Sequence, residues 1–151
     1  MAMDLQGIKE ALPSMVPMVG TLNLEFIDLT PDSATMKLPD QPAFRNHLGG
    51  PHAGAMFTLG ESASGALVLA NFADRLESVI PLAVSAEIHY RAVAMGAVIA
   101  EARMLATRRD ILRSLDEAER PEFKIHIEFT SDGRDTGHMT WDPLVHMGGM
   151  S

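Results

Sequence analysis

The spacing of hydrophobic and polar residues changes several times along the chain, and each change marks an element. Leu5, Ile8, Leu12 and Met15 recur at the three- and four-residue steps of one helical stripe. Pro13 and Pro17 limit how far that helix can run, so the pattern predicts a short capping helix ending by about Met15. From Thr21 the period becomes two. Leu22, Leu24 and Phe26 alternate with polar neighbours, and Ala34, Met36 and Leu38 do the same beyond a Thr30-Pro31-Asp32 turn, which predicts a hairpin. Residues 40–51, rich in Gly, Pro, Asn and His, read as a loop. The stretch from His52 to Ala73 is too long for a strand and carries Ala, Met, Leu, Phe and small residues all round its circumference, which predicts a helix enclosed on most sides.

Alternation returns after a loop around 74–78, with Leu82, Val84, Ala86, Ile88 and Tyr90 opposite Ala83, Ser85, Glu87, His89 and Arg91. Further strands are predicted at about Ala97 to Leu105, at Glu122 to Thr130, and from about Arg134 to Trp141 beyond a Ser131-Asp132-Gly133 turn. The charged segment from Arg108 to Arg120 reads as weakly helical, most simply a long exposed connection. A four-strand run joined by turns predicts an antiparallel meander, and the helix beginning near His52 is the one element apolar enough to cover it. The fold class is therefore α+β: about six antiparallel strands, one central helix and a short amino-terminal helix.

The 151 residues are enough for one domain. Residues 1–20 form its helical lead-in and 143–151 a tail. Twelve Lys and Arg against twenty Asp and Glu give a net charge of -8, scattered basic residues included, which argues against nucleic acid as a partner. With no cysteine, thiolate metal sites, disulfides and a cysteine nucleophile are excluded. The amino terminus has an acid at Asp4 and no basic segment leading into an apolar core, so a cytoplasmic location is expected. The apolar stretch 52–73 is interrupted by Glu61, Ser62, Ser64, Gly65 and Asn71, so it is expected to lie inside protein and not in a membrane.

Glu61 is the one charged residue in that stretch. A carboxylate there is costly to bury unless it is paired, neutralised or placed on a narrow wet stripe with Thr58 and Ser64. The run Asn46-His-Leu-Gly-Gly-Pro-His-Ala-Gly-Ala-Met-Phe-Thr-Leu-Gly-Glu61 resembles the active-site signature of hotdog-fold acyl-CoA thioesterases of the phenylacetate-pathway type. It is closer still to their uncharacterised DUF4442-like relatives, in which Ala replaces the first glycine and Glu is the acid. Asn46, His52, Gly54 and Glu61 match the signature residue by residue, and Ile88-His-Tyr-Arg-Ala-Val-Ala-Met-Gly96 is similar to a strand segment of the same families. Ala53 stands where glycine is commonest, Ala83 where some relatives carry a serine, and Val93 where proline is frequent.

The resemblance implies the hotdog fold and hydrolysis of an acyl or aryl thioester of coenzyme A, with no cofactor beyond the coenzyme A of the substrate. Glu61 would be nucleophile or general base, the amides near Ala53 and Gly54 at the helix start would hold the oxyanion, and Asn46 would orient water or thioester. His52 would structure the loop, and His52, Phe57, Ser64, Ser85 and Arg91 would meet the substrate, with Ser64 or Ser85 positioning water. The acid lies eight residues beyond Ala53, a rise of about 12 Å, so one chain cannot complete the site. A homodimer, possible as half of a tetramer, is implied. Within the same fold a hydroxyacyl-thioester dehydratase remains open, because His47 and Glu61 also have a suitable interval. A non-catalytic acyl-CoA-binding protein is the alternative from another class. His89, His126 and His138 lack the carboxylate spacing of a metal site, and none is expected.

Overall fold

The computed structural model describes residues 4–75, 79–117 and 123–147. Helix α1 spans Leu5–Met15, started by the Asp4 carboxylate accepting from the Gly7 N–H at 2.7 Å and buried through Ile8 and Leu12. A second helix, α2 (Pro17–Thr21), follows at once. Pro17 opens it from the first-turn position, where its missing N–H costs nothing, so the residue expected to stop one helix also starts another. Leu22 and Leu24 are buried, but Asn23 sits at φ 52°, and the first strand begins only at Glu25 instead of Thr21.

Strands β1 (Glu25–Leu29) and β2 (Ser33–Leu38) form the expected hairpin, its turn tied by Thr30 Oγ1, which accepts from the N–H groups of Asp32 and Ser33. The chain then passes through a 3-10 turn (Pro42–Phe44) into the long helix α3 (Ala53–Phe72). Beyond it lie β3 (Val79–Tyr90), β4 (Val98–Met104), helix α4 (Arg108–Asp116), β5 (Ile125–Ser131) and β6 (Arg134–Met147). The expected connection after Arg108 is thus helical over Arg108–Asp116, anchored by Ile111 at 3% exposure, and its continuation 118–122 falls outside the described residues. Of the expected tail 143–151, residues 143–147 instead extend β6, which pairs with β3 to its end, and 148–151 fall outside the described residues.

All six strands are antiparallel in the order β1-β2-β4-β5-β6-β3. The four later strands are therefore not a simple meander. Only β4, β5 and β6 follow one another; β3 pairs with β6 at the far edge, and the segment 91–97 carries the chain back across the sheet to β2 and β4. Alternation discloses which face of a strand is buried but not which strand lies beside it. The crossing segment has no two-residue hairpin turn, buries Ala94, and ends at Gly96 with φ 74°.

The sheet curls around α3, the hotdog arrangement. Small residues on the concave face, Ala34, Ala100 and Ala102, have no exposure and allow the helix close approach. Gly60 marks the tightest point, since a Cβ there would lie 2.7 Å from the Phe129 ring and 2.8 Å from Met139 Sδ. By length and composition the helical stretch Ala53–Arg75 is apolar enough to cross a membrane, but here it packs against α1, β2, β4 and β5 as a core helix.

Candidate active site

Two regions built on α3 carry the residues singled out by the sequence. The first is the helix start. Asn46 organises the loop before it: its side-chain oxygen accepts from the N–H groups of Leu48 (2.9 Å) and Gly50 (3.1 Å), and its amide nitrogen donates to the Pro51 carbonyl at 3.2 Å. Gly50 is required by the crossing segment, because a Cβ there would collide with the Ala94 carbonyl. His52 caps the helix, its Nδ1 accepting from the Gly54 N–H at 2.9 Å. This bond ties the His52 ring to the first turn of the helix. It also changes the expectation for Gly54, whose amide is already engaged. The Ala53 N–H has no acceptor among the described residues and lies at the positive end of a twenty-residue helix.

Tyr90 secures this end from the sheet, donating its hydroxyl to the Ala53 carbonyl at 2.9 Å. Sequence reasoning missed that role, although Tyr90 is the one tyrosine in the chain and closes the β3 alternation. Asn46, Ala53, Tyr90 and Arg91 line a cavity of about 310 Å³. Arg91 is held by Asp135 at 2.7 Å, with Glu128 at 3.7 Å, and is half exposed.

The second region surrounds Glu61, two turns along the helix. No donor reaches its carboxylate among the described residues. Thr58, the nearest candidate for a polar stripe, donates instead to the Gly54 carbonyl at 3.0 Å. Burial raises the Glu61 carboxyl above the ordinary carboxylate value. The side chain lines two adjoining cavities. One, of about 390 Å³, runs past Phe57, Thr58 and the β3 residues Ala83–Ala86. The other, of about 240 Å³, lies beneath α1 and α2. Phe57 and Ser85 therefore join Glu61, with the Ser85 hydroxyl donating to Asp142 Oδ2 at 2.9 Å. A register shift between Ala83 and Ser85 breaks the strand's alternation at this stretch.

Ser64 does not join them. It has no exposure and donates to the Gly60 carbonyl at 2.8 Å, so packing against the sheet, not its position one turn from Glu61, decides its surroundings. His89 and His138 stack with ring centroids 4.7 Å apart and His126 lies 5.9 Å from His138, yet no group of three potential ligands is arranged for a metal among the described residues. A separate open groove of about 740 Å³ beside Arg108, Arg109 and Arg113 shares no residue with either region. Arg108 is committed to the Asn71 carbonyl and the Asp74 carboxylate.

Several solved structures share this architecture. A protein of unknown function from Pseudomonas aeruginosa, described as a probable thioesterase, superposes with a TM-score of 0.86 at 23% identity, covering 98% of this chain and 100% of that one. A putative thioesterase from Shewanella oneidensis gives 0.78 at 16% identity, with 95% and 97% covered. A thioesterase family protein from Silicibacter pomeroyi gives 0.74 at 19% identity, with 95% and 99% covered. Comparison with curated proteins returned no match. At these identities the likeness establishes the hotdog fold, while residues 6–142 match the family model described as Domain of unknown function (DUF4442), and the chain belongs to that family.

Proposed function

We propose that the protein hydrolyses an acyl thioester of coenzyme A. The observation that carries this reading is the Glu61 carboxylate: half-buried, without a partner among the described residues, its proton affinity raised, and lining cavities able to take an acyl group. A structural carboxylate in such surroundings would be paired. A general base gains from a raised pKa, because its driving force for proton abstraction near neutral pH increases.

In the proposed reaction Glu61 takes a proton from water as the water oxygen attacks the thioester carbonyl. The Ala53 N–H, at the positive helix end, stabilises the tetrahedral oxyanion. Collapse breaks the carbon–sulfur bond, the thiolate of coenzyme A leaves, and the proton held by Glu61 returns to it. Ser85 positions the attacking water, Phe57 packs against the acyl group, and Arg91 faces the coenzyme A arm at the helix start. Asn46, His52 and Tyr90 act as positioning residues that fix Ala53.

Ala53 and Glu61 of one chain are separated by about 12 Å along the helix, so the parts must come from two chains. The free edge of β3 supports this arrangement: Leu82 and Val84 are 48% and 56% exposed at the end of the sheet, an apolar strand edge suited to a second copy. Antiparallel pairing about a two-fold axis would set each helix start beside the other chain's Glu61. The test is a panel of acyl-CoA esters incubated with the protein while free thiol is followed. Thiol release with at least one ester, reduced by two or more orders of magnitude in Glu61→Gln, is expected. Hydration of an enoyl ester without thiol release, or binding with neither reaction, would contradict the proposal.

A further inference from the structure

Glycine is unfavourable inside a helix, because it gives up more freedom on folding than alanine does and brings no side chain to pack. Gly65 lies in the interior of α3, and neither of the usual reasons for a helical glycine applies to it. Its backbone is not left-handed, since the described glycines with positive φ are Gly49, Gly96 and Gly133. No neighbour crowds it either: a Cβ there would meet nothing within 4 Å, whereas at Gly60 the Phe129 ring stands 2.7 Å away. What offsets the cost at Gly65 is therefore the space beside it.

That space is the cavity of about 240 Å³ beneath α1 and α2, which Gly65 helps to line. Glu61, Gly65, Val68 and Leu69 border it from α3. Their i, i+4, i+7 and i+8 spacing is that of one helix face, about 12 Å long. Leu12, Val19 and Val68, at 2%, 1% and 1% exposure, give the cavity apolar walls. Glu61 also lines the cavity of about 390 Å³ beside β3, so a thioester carbonyl held at Glu61 has the smaller cavity one helical turn away. An apolar cavity of about 150 Å³ takes a benzene ring, and 240 Å³ in proportion takes about ten carbon atoms.

Resting on the thioesterase reading above, we propose that this cavity holds the hydrocarbon tail of an acyl group of about eight to ten carbons, and that Gly65 determines the length accepted by leaving the tail's path open. A side chain at this position would stand in that path and shorten the chain that fits.

The experiment measures affinity, so it does not depend on turnover. Calorimetric titration of the whole protein uses non-hydrolysable coenzyme A thioethers: S-butyl-, S-decyl- and S-dodecyl-CoA. A buried methylene is worth roughly fourfold in affinity, so S-decyl-CoA should bind at least about thirtyfold more tightly than S-butyl-CoA. S-dodecyl-CoA, too long for the cavity, should gain less than about threefold over S-decyl-CoA. Gly65→Ala adds one methyl group and should cut the decyl-to-butyl ratio about fourfold; Gly65→Leu adds four carbons and should cut it at least about tenfold. Should Gly65→Leu not fold, Gly65→Ala decides the matter alone. A smaller decyl advantage, a further gain of about tenfold with the dodecyl probe, no binding of any probe, or a ratio that Gly65→Ala leaves unchanged overturns the proposal. The predicted preference in a protein that releases no thiol from any ester would leave this cavity's role standing and refute the thioesterase reading. Thiol release without the preference would do the reverse.

Discussion

Two glycines on α3 predict opposite responses to the same added methyl group. At Gly60 a Cβ would lie 2.7 Å from Phe129 Cζ, 2.8 Å from Met139 Sδ and 3.3 Å from Phe129 Cε1; at Gly65 it would meet nothing within 4 Å. Met139 can swing its sulfur aside, but the Phe129 ring is fully buried, so relieving the contact must move the helix off β5 and β6. Overpacking of this kind costs about 1–3 kcal/mol. Both substitutions also gain about 1 kcal/mol of helix propensity, together with the same loss of freedom in the unfolded chain. Those shared contributions cancel between the variants, leaving the packing cost as the difference. Gly65→Ala should be stabilised by about 1 kcal/mol, with Gly60→Ala lying about 1–3 kcal/mol below it. At about 2–4 °C per kcal/mol for a chain of this size, the two melting temperatures should differ by roughly 2–12 °C. Differential scanning calorimetry of the wild type and both variants measures this directly. Equal melting temperatures, or a lower value for Gly65→Ala, would refute the packing argument.

Glu61→Gln should lose activity yet gain stability. Because burial raises the folded-state pKa, the native protein holds this proton more firmly than the unfolded chain does, and stability falls as pH rises from the unfolded value through the folded one. The stability gained by Glu61→Gln should therefore be present at neutral pH and vanish as pH drops below the ordinary carboxylate range, as denaturant titrations at several pH values would reveal. In the wild type, kcat/KM should rise with pH through the same raised pKa and level off above it, and a profile lacking that limb would exclude Glu61 as the base. Asn46→Ala removes acceptors for two backbone N–H groups and a donor to Pro51, so kcat should fall about ten- to a hundredfold with a smaller change in KM. An effect confined to KM would reassign Asn46 to substrate binding.

The elements of this fold are legible in the sequence where one physical preference dominates. The helix Ala53–Phe72 and the hairpin of β1 and β2 follow directly from apolar spacing and turn chemistry. Strand order is not legible, because β3 pairs with β6 through contacts between residues dozens of positions apart that alternation does not encode. Helix α4 is only weakly signalled, because charged residues dominate it and Ile111 is the one fully buried side chain among those described there. Glu61 stands out as a charge in an apolar helix, and the loop from Asn46 to His52 through its resemblance to a known signature. Another role depends on a contact distant in sequence: the Tyr90 hydroxyl reaches the Ala53 carbonyl. Ser64 illustrates the opposite case, since its nearness to Glu61 along the helix suggested a site residue that packing places in the core.

The central claim is that each active site combines the helix start of one chain with Glu61 of another. It is tested most directly by subunit complementation. Glu61→Gln chains and Asn46→Ala chains, each of low activity, are mixed under conditions that permit exchange, and thiol release from a responsive acyl-CoA ester is followed as heterodimers form. One site of each heterodimer then carries both substitutions and the other neither, so fully mixed chains should recover about a quarter of wild-type activity, with half the molecules heterodimeric and half their sites intact. Activity that stays at the level of the separate variants while heterodimers are demonstrably present, or full activity in a verified monomer, would contradict the shared site.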